Sequence, residues 1–235
     1  MRILYVFPHP DDESFGAAQA IAKQRREGHE VYLLTLTKGG ATKQRFKYNY
    51  SVDEMGDVRF REMQNVSEVL GLSGLTVLDL PDSGLKEMDP MEIEKVIADE
   101  IERIKPDVVV TYAVHGISGF HDHLVCHAVV KSVYCRLKKE KGFLKRLAFF
   151  TLCSEDAEKQ KHFRLSYSTE EEIDCVIGVD DSDMEKANES LDCYVTFKDT
   201  IDKSDIKNML NKSVSFEIFQ EDHKPYLKDL FTKLN

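Results

Sequence analysis

The feature that most constrains the fold is an alternation of short apolar runs with longer amphipathic stretches over residues 1–140. Apolar runs typical of strands buried on both faces occupy 2–7, 30–37, 75–80 and 108–112. Apolar residues at helical spacing follow them over 13–26, 57–71, 90–104 and 122–139. We therefore predict a Rossmann-like α/β fold, in which helices cover both faces of a mostly parallel sheet.

The pattern is less regular in the last part of the chain. It predicts strands near 147–152, 173–179 and 214–219, and helices near 182–195 and 203–211. Since neither a linker nor a repeat separates the two parts, we predict a single domain over 1–235, with a core at 1–140 and a mixed α/β completion at 141–235. The polar stretch 41–56 is predicted to be a long loop. The basic residues between Arg136 and Arg146 are predicted to form a solvated helix end and turn.

Charge and cysteine content narrow the class of protein. The chain has 42 acidic and 32 basic residues and a formal net charge of −10, which argues against a nucleic-acid binder or a polybasic membrane-surface protein. No apolar run approaches the roughly 20 residues needed to span a bilayer, and the N-terminus does not resemble a signal peptide. The five cysteines form no C-x-x-C pair and look like reduced thiols, so we expect a cytoplasmic protein. Whether it forms homo-oligomers is left open.

Two polar clusters follow predicted strands at the point where each strand ends. The run PHPDDE at 8–13 follows the first strand, and GFHDH at 119–123 follows the fourth. Ligands bind at the carboxyl ends of parallel strands, so we expect the clusters to meet there. Adjacent acids are costly unless a cation or a function requires them. His9, Asp12 and His123 would supply the two imidazoles and one carboxylate of a catalytic zinc site with one open position.

Alternatives to this metal site remain open at the level of sequence. Asp11 would be left to take a proton from a metal-bound water. His123 could instead chelate together with His127, which follows at i+4 on the same helix face. The structural alternative for the first cluster is a helix N-cap with acidic residues in the first turn. Iron(II) is an alternative to zinc.

The motifs resemble those of the LmbE-like, PIG-L-type zinc-dependent N-deacetylases, which act on N-acetylglucosamine conjugates and related amides. The resemblance covers most of the first 130 residues and is looser after about 165. It rests on PHPDDE at 8–13, Arg59-x-x-Glu62 before Gly71, LPDSG at 80–84, and GISG at 116–119 followed by Asp122-His123.

The resemblance implies a role for each matching residue. It implies that zinc is held by His9, Asp12 and His123. It implies that Asp11 is the general base and that Arg59 and Asp82 hold the substrate. The expected activity is removal of an N-acetyl group from a small-molecule amino-sugar conjugate.

One position departs from the family pattern. The second motif normally begins with a histidine that stabilises the oxyanion, and this chain has Phe120 there, followed by His121. Loss of one such donor typically costs about 3 kcal/mol of transition-state stabilisation. We predict that His121 reaches the metal site as a catalytic donor and that Asp122 orients it. Tyr194 is an alternative hydroxyl donor, although packing in the core is the more ordinary role for such a residue.

Two other functions are consistent with the sequence. Phe120 raises the alternative of a catalytically weak or non-catalytic sugar-binding or sensing protein on the same fold. The same metal chemistry could also act on an amide or ester without a sugar. The presence of Asp11 favours an enzyme, because a binding module does not need a base.

Overall fold

A computed structural model describes residues 1–159 and 164–234, and within these ranges the strands form one seven-stranded sheet. The strands are β1 (Arg2–Phe7), β2 (Glu30–Thr37), β3 (Gly74–Leu80), β4 (Val108–Tyr112), β5 (Arg146–Thr151), β6 (Cys175–Gly178) and β7 (Ser213–Ile218). Their spatial order is β3-β2-β1-β4-β5-β7-β6. The first five run parallel, and β7 is antiparallel to both β5 and β6. The predicted mostly parallel sheet is confirmed.

Helices cover both faces of this sheet, as predicted. They are α1 (Ala18–Arg26), α2 (Arg45–Tyr48), α3 (Val52–Leu70), α4 (Pro90–Ile104), α5 (His121–Glu140), α6 (Ser154–Lys159), α7 (Asp181–Asp192), α8 (Lys198–Ser204) and α9 (Ile206–Met209). Apolar residues of α1, α3 and α7 pack into one buried cluster, and those of α4 and α5 pack into a second. No helix in the described ranges is both long and apolar enough to cross a bilayer.

Three segments differ from the sequence-based expectation. The helix predicted over 13–26 begins only at Ala18, since Gly16 has a φ of +141° that a helix does not allow. The predicted loop 41–56 contains α2 and the start of α3. A capping box formed by Ser51 and Glu54 starts α3, and this S-x-x-E signal is visible in the sequence. The helix predicted over 203–211 is divided by Asp205, which is left-handed, into α8 and α9.

The basic segment before β5 also differs from expectation at its last residue. Arg136 is exposed as predicted, whereas the side chain of Arg146 is fully buried as the first residue of β5. Its guanidinium binds the carboxylate of Glu221 and the carbonyl oxygens of Leu230 and Thr232. These partners are distant in sequence, so a local charge pattern does not reveal them.

The strand order places a crevice between β1 and β4. Strands β2 and β3 lie on one side of β1, and strands β4 and β5 lie on its other side. At such a switch point the loops after two neighbouring strands turn in opposite directions and leave space between them. The two polar clusters lie on the loops after β1 and β4, so the topology brings them to this crevice.

Candidate metal centre and active site

Three side chains predicted as metal ligands meet at the crevice. His9 and Asp12 follow strand β1, which is buried from Ile3 onward, and His123 lies in the first turn of α5. One ligand atom from each of the three lies within 4.8 Å of the other two. The strands are anchored on both sides by buried apolar residues, so they hold the loops close together.

Asp12 lies between the two imidazole rings. Its Oδ1 atom is 3.3 Å from His123 Nε2, and its Oδ2 atom is 3.5 Å from His9 Nδ1. The hydroxyl of Tyr112 donates a hydrogen bond of 2.9 Å to Asp12 Oδ1, and the Tyr112 ring stacks on His123 with ring centres 4.3 Å apart. Tyr112 was not predicted as a site residue, although its position at the end of a predicted strand is visible in the sequence.

The far nitrogen of each ring faces an acceptor. His123 Nδ1 is 2.9 Å from the carbonyl oxygen of Gly116, and His9 Nε2 is 3.1 Å from Asp122 Oδ2. Protons on these two nitrogens would leave His123 Nε2 and His9 Nδ1 with lone pairs facing Asp12. Two imidazole nitrogens and one carboxylate, each ring held from behind, form a donor set that fits Zn²⁺ with an open position, and it also fits iron(II).

The carboxylates behind His9 are held by backbone N–H groups. Asp122 accepts hydrogen bonds from the N–H groups of Ser83 and Leu85. Asp82 Oδ1 lies 3.4 Å from His9 Nε2, and its Oδ2 atom accepts from the N–H of Ala41. His9, Asp82 and Asp122 form a second group of potential ligands. The hydrogen bond between His9 Nε2 and Asp122 indicates that Asp122 orients the His9 ring, and the carboxylate of Asp82 lies beside it.

The electrostatics of the cluster favour bound positive charge. Burial lowers the pKa of His9, but hydrogen bonds to Asp12 and Asp122 outweigh it and raise that pKa to about 10. Burial also opposes ionisation of Asp12, yet the neighbouring imidazoles of His123 and His9 hold the pKa of Asp12 well below its usual range. A divalent cation would supply the positive charge that these carboxylates favour.

The carboxylate of Asp11 pairs with the guanidinium of Arg59. It is buried with a φ of +85°, a conformation that costs a non-glycine residue about 1–3 kcal/mol and requires support from its surroundings. Its Oδ2 atom accepts a hydrogen bond of 2.9 Å from Arg59 Nη2. Burial raises the pKa of Asp11 to about 6, while the charge of Arg59 acts in the opposite direction. A carboxylate of this pKa is suited to take a proton near neutral pH.

Arg59 is committed to partners within the protein. Besides Asp11, it donates to the carbonyl oxygens of Pro10 and Gly39, at 2.8 and 3.1 Å, and its guanidinium carbon lies 4.4 Å from the centre of the Phe197 ring. It lines the cavity at the site but is only 2% exposed. The geometry therefore assigns its hydrogen bonds to the loop that carries Asp11, whereas the family resemblance implied contacts with substrate.

The structure does not bring His121 to the site. Its side chain is exposed and is not among the described residues that line the cavity. His121 is the first residue of α5, and successive helical residues rotate by about 100° around the axis. Asp122 and His123 are buried, so His121 faces outward, and Asp122 orients His9 instead of His121. Phe120 is 63% exposed and lines the cavity.

Two further alternatives are contradicted by the structure. His127 Nδ1 is 2.8 Å from the carbonyl oxygen of Tyr112, and its ring packs on Phe149, so His127 belongs to neither group of potential ligands among the described residues. Tyr194 is fully buried, and its hydroxyl donates to Glu13 Oε1 at 2.6 Å. Tyr194 therefore packs in the core and does not offer its hydroxyl to the cavity.

Comparison with known proteins identifies the family to which this sequence is similar. A sequence model of the PIG-L family, described as GlcNAc-PI de-N-acetylase, matches residues 4–134. A 1D-myo-inositol 2-acetamido-2-deoxy-alpha-D-glucopyranoside deacetylase from Thermomonospora curvata is 31% identical over 149 residues, which cover 54% of this chain and 50% of the relative. The N-acetylglucosaminyl-phosphatidylinositol de-N-acetylase of Bos taurus is 30% identical over 146 residues, which cover 60% and 53%. This chain spans about half the length of these curated relatives.

Solved structures share the fold over nearly the whole chain. The crystal structure of a deacetylase from the biosynthesis pathway of teicoplanin, in complex with bog, has a TM-score of 0.74, with 93% of this chain and 97% of that chain covered. At 13% identity this likeness establishes the fold alone. The family model spans more than half of the chain, including both polar clusters, and the expected resemblance is thereby confirmed: this chain belongs to the PIG-L family.

Proposed function

We propose that this protein is a zinc-dependent hydrolase that removes the N-acetyl group from an N-acetylglucosamine-type conjugate. The observation that carries the proposal is the convergence of His9, Asp12 and His123 in a cavity, with Asp11 beside them. Family membership supports the same reaction class, since the relatives described above are named as deacetylases of N-acetylglucosamine conjugates.

The metal would be held by His9 Nδ1, Asp12 and His123 Nε2. A bound Zn²⁺ would lower the pKa of a water molecule at its open position and polarise the amide carbonyl. Gly116 and Asp122 fix the two rings, and Tyr112 fixes the carboxylate. Iron(II) is the alternative ion, because the same donor set suits it.

The proton transfers are assigned to Asp11. Its carboxylate takes the proton of the attacking water and later delivers it to the leaving amine nitrogen. Arg59 holds this carboxylate in place through the 2.9 Å hydrogen bond. Asp82, half-buried on the cavity wall, would accept a hydrogen bond from a sugar hydroxyl.

A bound metal would supply most of the stabilisation of the oxyanion. Among the described residues, the imidazoles that line the cavity are those of the ligands His9 and His123. Phe120 cannot donate a hydrogen bond, so the protein lacks a donor worth about 3 kcal/mol at that position. We therefore expect turnover slower than that of a relative with histidine there.

The experiment combines metal analysis with measurement of amine release from a panel of N-acetylglucosamine conjugates. Asp11→Asn should retain the metal and lose hydrolysis by roughly 100- to 10,000-fold, since the base is removed while the polar shape stays. Asp79→Asn is the matched control, because Asp79 is an exposed acid on β3. Full activity of Asp11→Asn would rule out Asp11 as the base.

The same panel separates the two alternatives. A sensing protein would bind the conjugates without releasing amine, and an amidase or esterase of other substrates would hydrolyse simple acetyl-amides or esters in preference. Stoichiometric metal in a triple alanine variant of His9, Asp12 and His123 would show that the metal site is elsewhere.

A further inference from the structure

The cavity at the metal cluster is larger and more apolar than an amino sugar requires. Its volume is about 620 Å³, within the range of roughly 300–1,000 Å³ that pockets for drug-sized ligands occupy. Its polar wall carries the metal ligands together with Asp11, Arg59 and Asp82. Hydrophobic side chains from other elements of the fold line the rest of the cavity, together with polar side chains such as Arg164, Thr200 and Asn211.

Six hydrophobic side chains that the core leaves partly exposed line this same cavity. We call them the apolar arm: Phe15, Leu152, Leu165, Phe197, Ile206 and Leu210. They come from the turn before α1, the end of β5, the coil at Leu165, and the segments around α8 and α9, so distant parts of the chain converge on one space. Hydrophobic side chains gathered around one concave surface favour an apolar ligand.

The sheet provides a firm base for the apolar arm. The buried residues Phe150, of β5, and Val214, of β7, also line the cavity. A Cβ atom on Gly16 would lie 2.8 Å from the Phe150 ring, so the absence of a side chain at Gly16 allows the close packing at this point. Asp156, a charged residue of the lining, is paired with Lys159 at 3.0 Å.

We infer that the substrate carries an alkyl chain, which binds in the apolar arm while the amino sugar binds at the polar wall. This inference rests on the proposed function for the place of the sugar. A chain could be attached as the aglycone or as the acyl group on nitrogen, and both present the same chemistry to the apolar arm. The apolar arm and the metal cluster belong to one cavity, so a single amphipathic molecule can occupy both.

The affinity of alkyl glucosides tests the apolar arm without any hydrolysis, because these compounds lack the amide. Binding of methyl, butyl and hexyl glucoside to the zinc-loaded protein would be measured by calorimetry. Each fully buried methylene should lower Kd by about three- to fourfold, so burial of two or more of the five added methylenes makes hexyl glucoside bind about tenfold or more tightly than methyl glucoside. A second series, N-acetyl to N-hexanoyl methyl glucosaminide, would be measured with Asp11→Asn.

The two series distinguish the two attachments. If Kd falls with alkyl length only in the glucoside series, the alkyl chain belongs to the aglycone. If Kd falls with acyl length only in the N-acyl series, the alkyl chain is attached to nitrogen. Absence of a slope in both series would overturn the inference. In that case the proposed hydrolysis would still hold if acetyl conjugates release amine. A Kd that falls with alkyl length, without any release of amine, would refute the hydrolysis alone.

A pair of variants locates the chain. Leu210→Asn should bring the ratio of hexyl to methyl affinity close to one in whichever series shows a slope. The matched control is Leu72→Asn, because Leu72 packs partly exposed on the same core cluster but does not line the cavity. An unchanged ratio in Leu210→Asn would show that the chain binds elsewhere and would overturn the inference.

Discussion

At the scale of single residues, the first turn of α5 directs two of its side chains into the site and a third into solvent. Asp122 and His123 are buried, and His121 is exposed. Adjacent positions on a helix differ by about 100°, so proximity in sequence to a ligand does not imply proximity to the metal. Phe120, which precedes the helix and has an extended backbone, lines the cavity.

Replacement of His121 tests this reading of α5. His121→Ala should change turnover by less than about twofold, because an exposed side chain without a contact to the cavity cannot stabilise the oxyanion. Steady-state kinetics on the zinc-loaded protein would measure it. A loss of roughly 100-fold or more with zinc retained would restore His121 as the donor.

Arg59 offers a second test at this scale. Arg59→Lys should lower kcat by roughly 100-fold with KM nearly unchanged, because a lysine cannot hold Asp11 and two carbonyl oxygens with the same planar fork. The matched control is Arg61→Lys, an exposed position on the same helix. A rise in KM with kcat preserved would instead indicate that Arg59 binds the sugar.

At the scale of elements, the connection from β4 to α5 decides where the second imidazole lies. Gly116 has a φ of +61°, and a Cβ atom there would lie 2.8 Å from His123 Cβ. Its carbonyl oxygen also accepts from His123 Nδ1. The backbone of this connection therefore positions a metal ligand, which residue type alone does not indicate.

Two glycines of this connection form a matched pair. Gly116→Ala should weaken metal binding by roughly 10- to 100-fold, since the added methyl group displaces His123 from its partner. Gly119→Ala adds the same methyl group at a φ of +72°, but nothing lies within 4 Å of it. Zinc titration of both variants measures the difference. Equal losses would assign the effect to backbone strain, and not to displacement of His123.

At the scale of the whole molecule, a buried charge joins the end of the chain to the sheet. The Arg146 guanidinium makes hydrogen bonds of 2.9 and 2.7 Å to Glu221 and also binds the carbonyl oxygens of Leu230 and Thr232. A buried arginine without water must find all its acceptors in the protein. The residues after β7 supply them and are thereby held against β5.

Removal of this cation should destabilise the protein as a whole. Arg146→Leu should lower the free energy of unfolding by about 1–3 kcal/mol, because it leaves the buried carbonyl oxygen of Leu230 without its donor and leaves Glu221 with only His223. Urea denaturation would measure this change. The exposed Arg136→Leu is the control, with an expected change within about 0.5 kcal/mol. A similar small change for Arg146→Leu would contradict the structural role given to Arg146.

Much of the fold could be predicted from the sequence because its signals are local. The ranges predicted for β2, α4 and β4 coincide with those observed, since apolar periodicity and terminal glycine or proline act over a few residues. The start of α3 was missed although its capping box is also local. The division into α8 and α9 depends on one left-handed residue, Asp205, which no periodicity marks.

The meeting of the two polar clusters could be predicted without the structure, because the loops at the carboxyl ends of parallel strands lie at one edge of the sheet. That argument requires only periodicity and chain direction, and it led to His9, Asp12 and His123. Only the tertiary structure decided the direction of His121, the partners of Arg59 and the burial of Arg146. The direction of His121 depends on where α5 begins and on which of its faces packs against the sheet. The other two depend on groups far away in the chain, which local spacing does not encode.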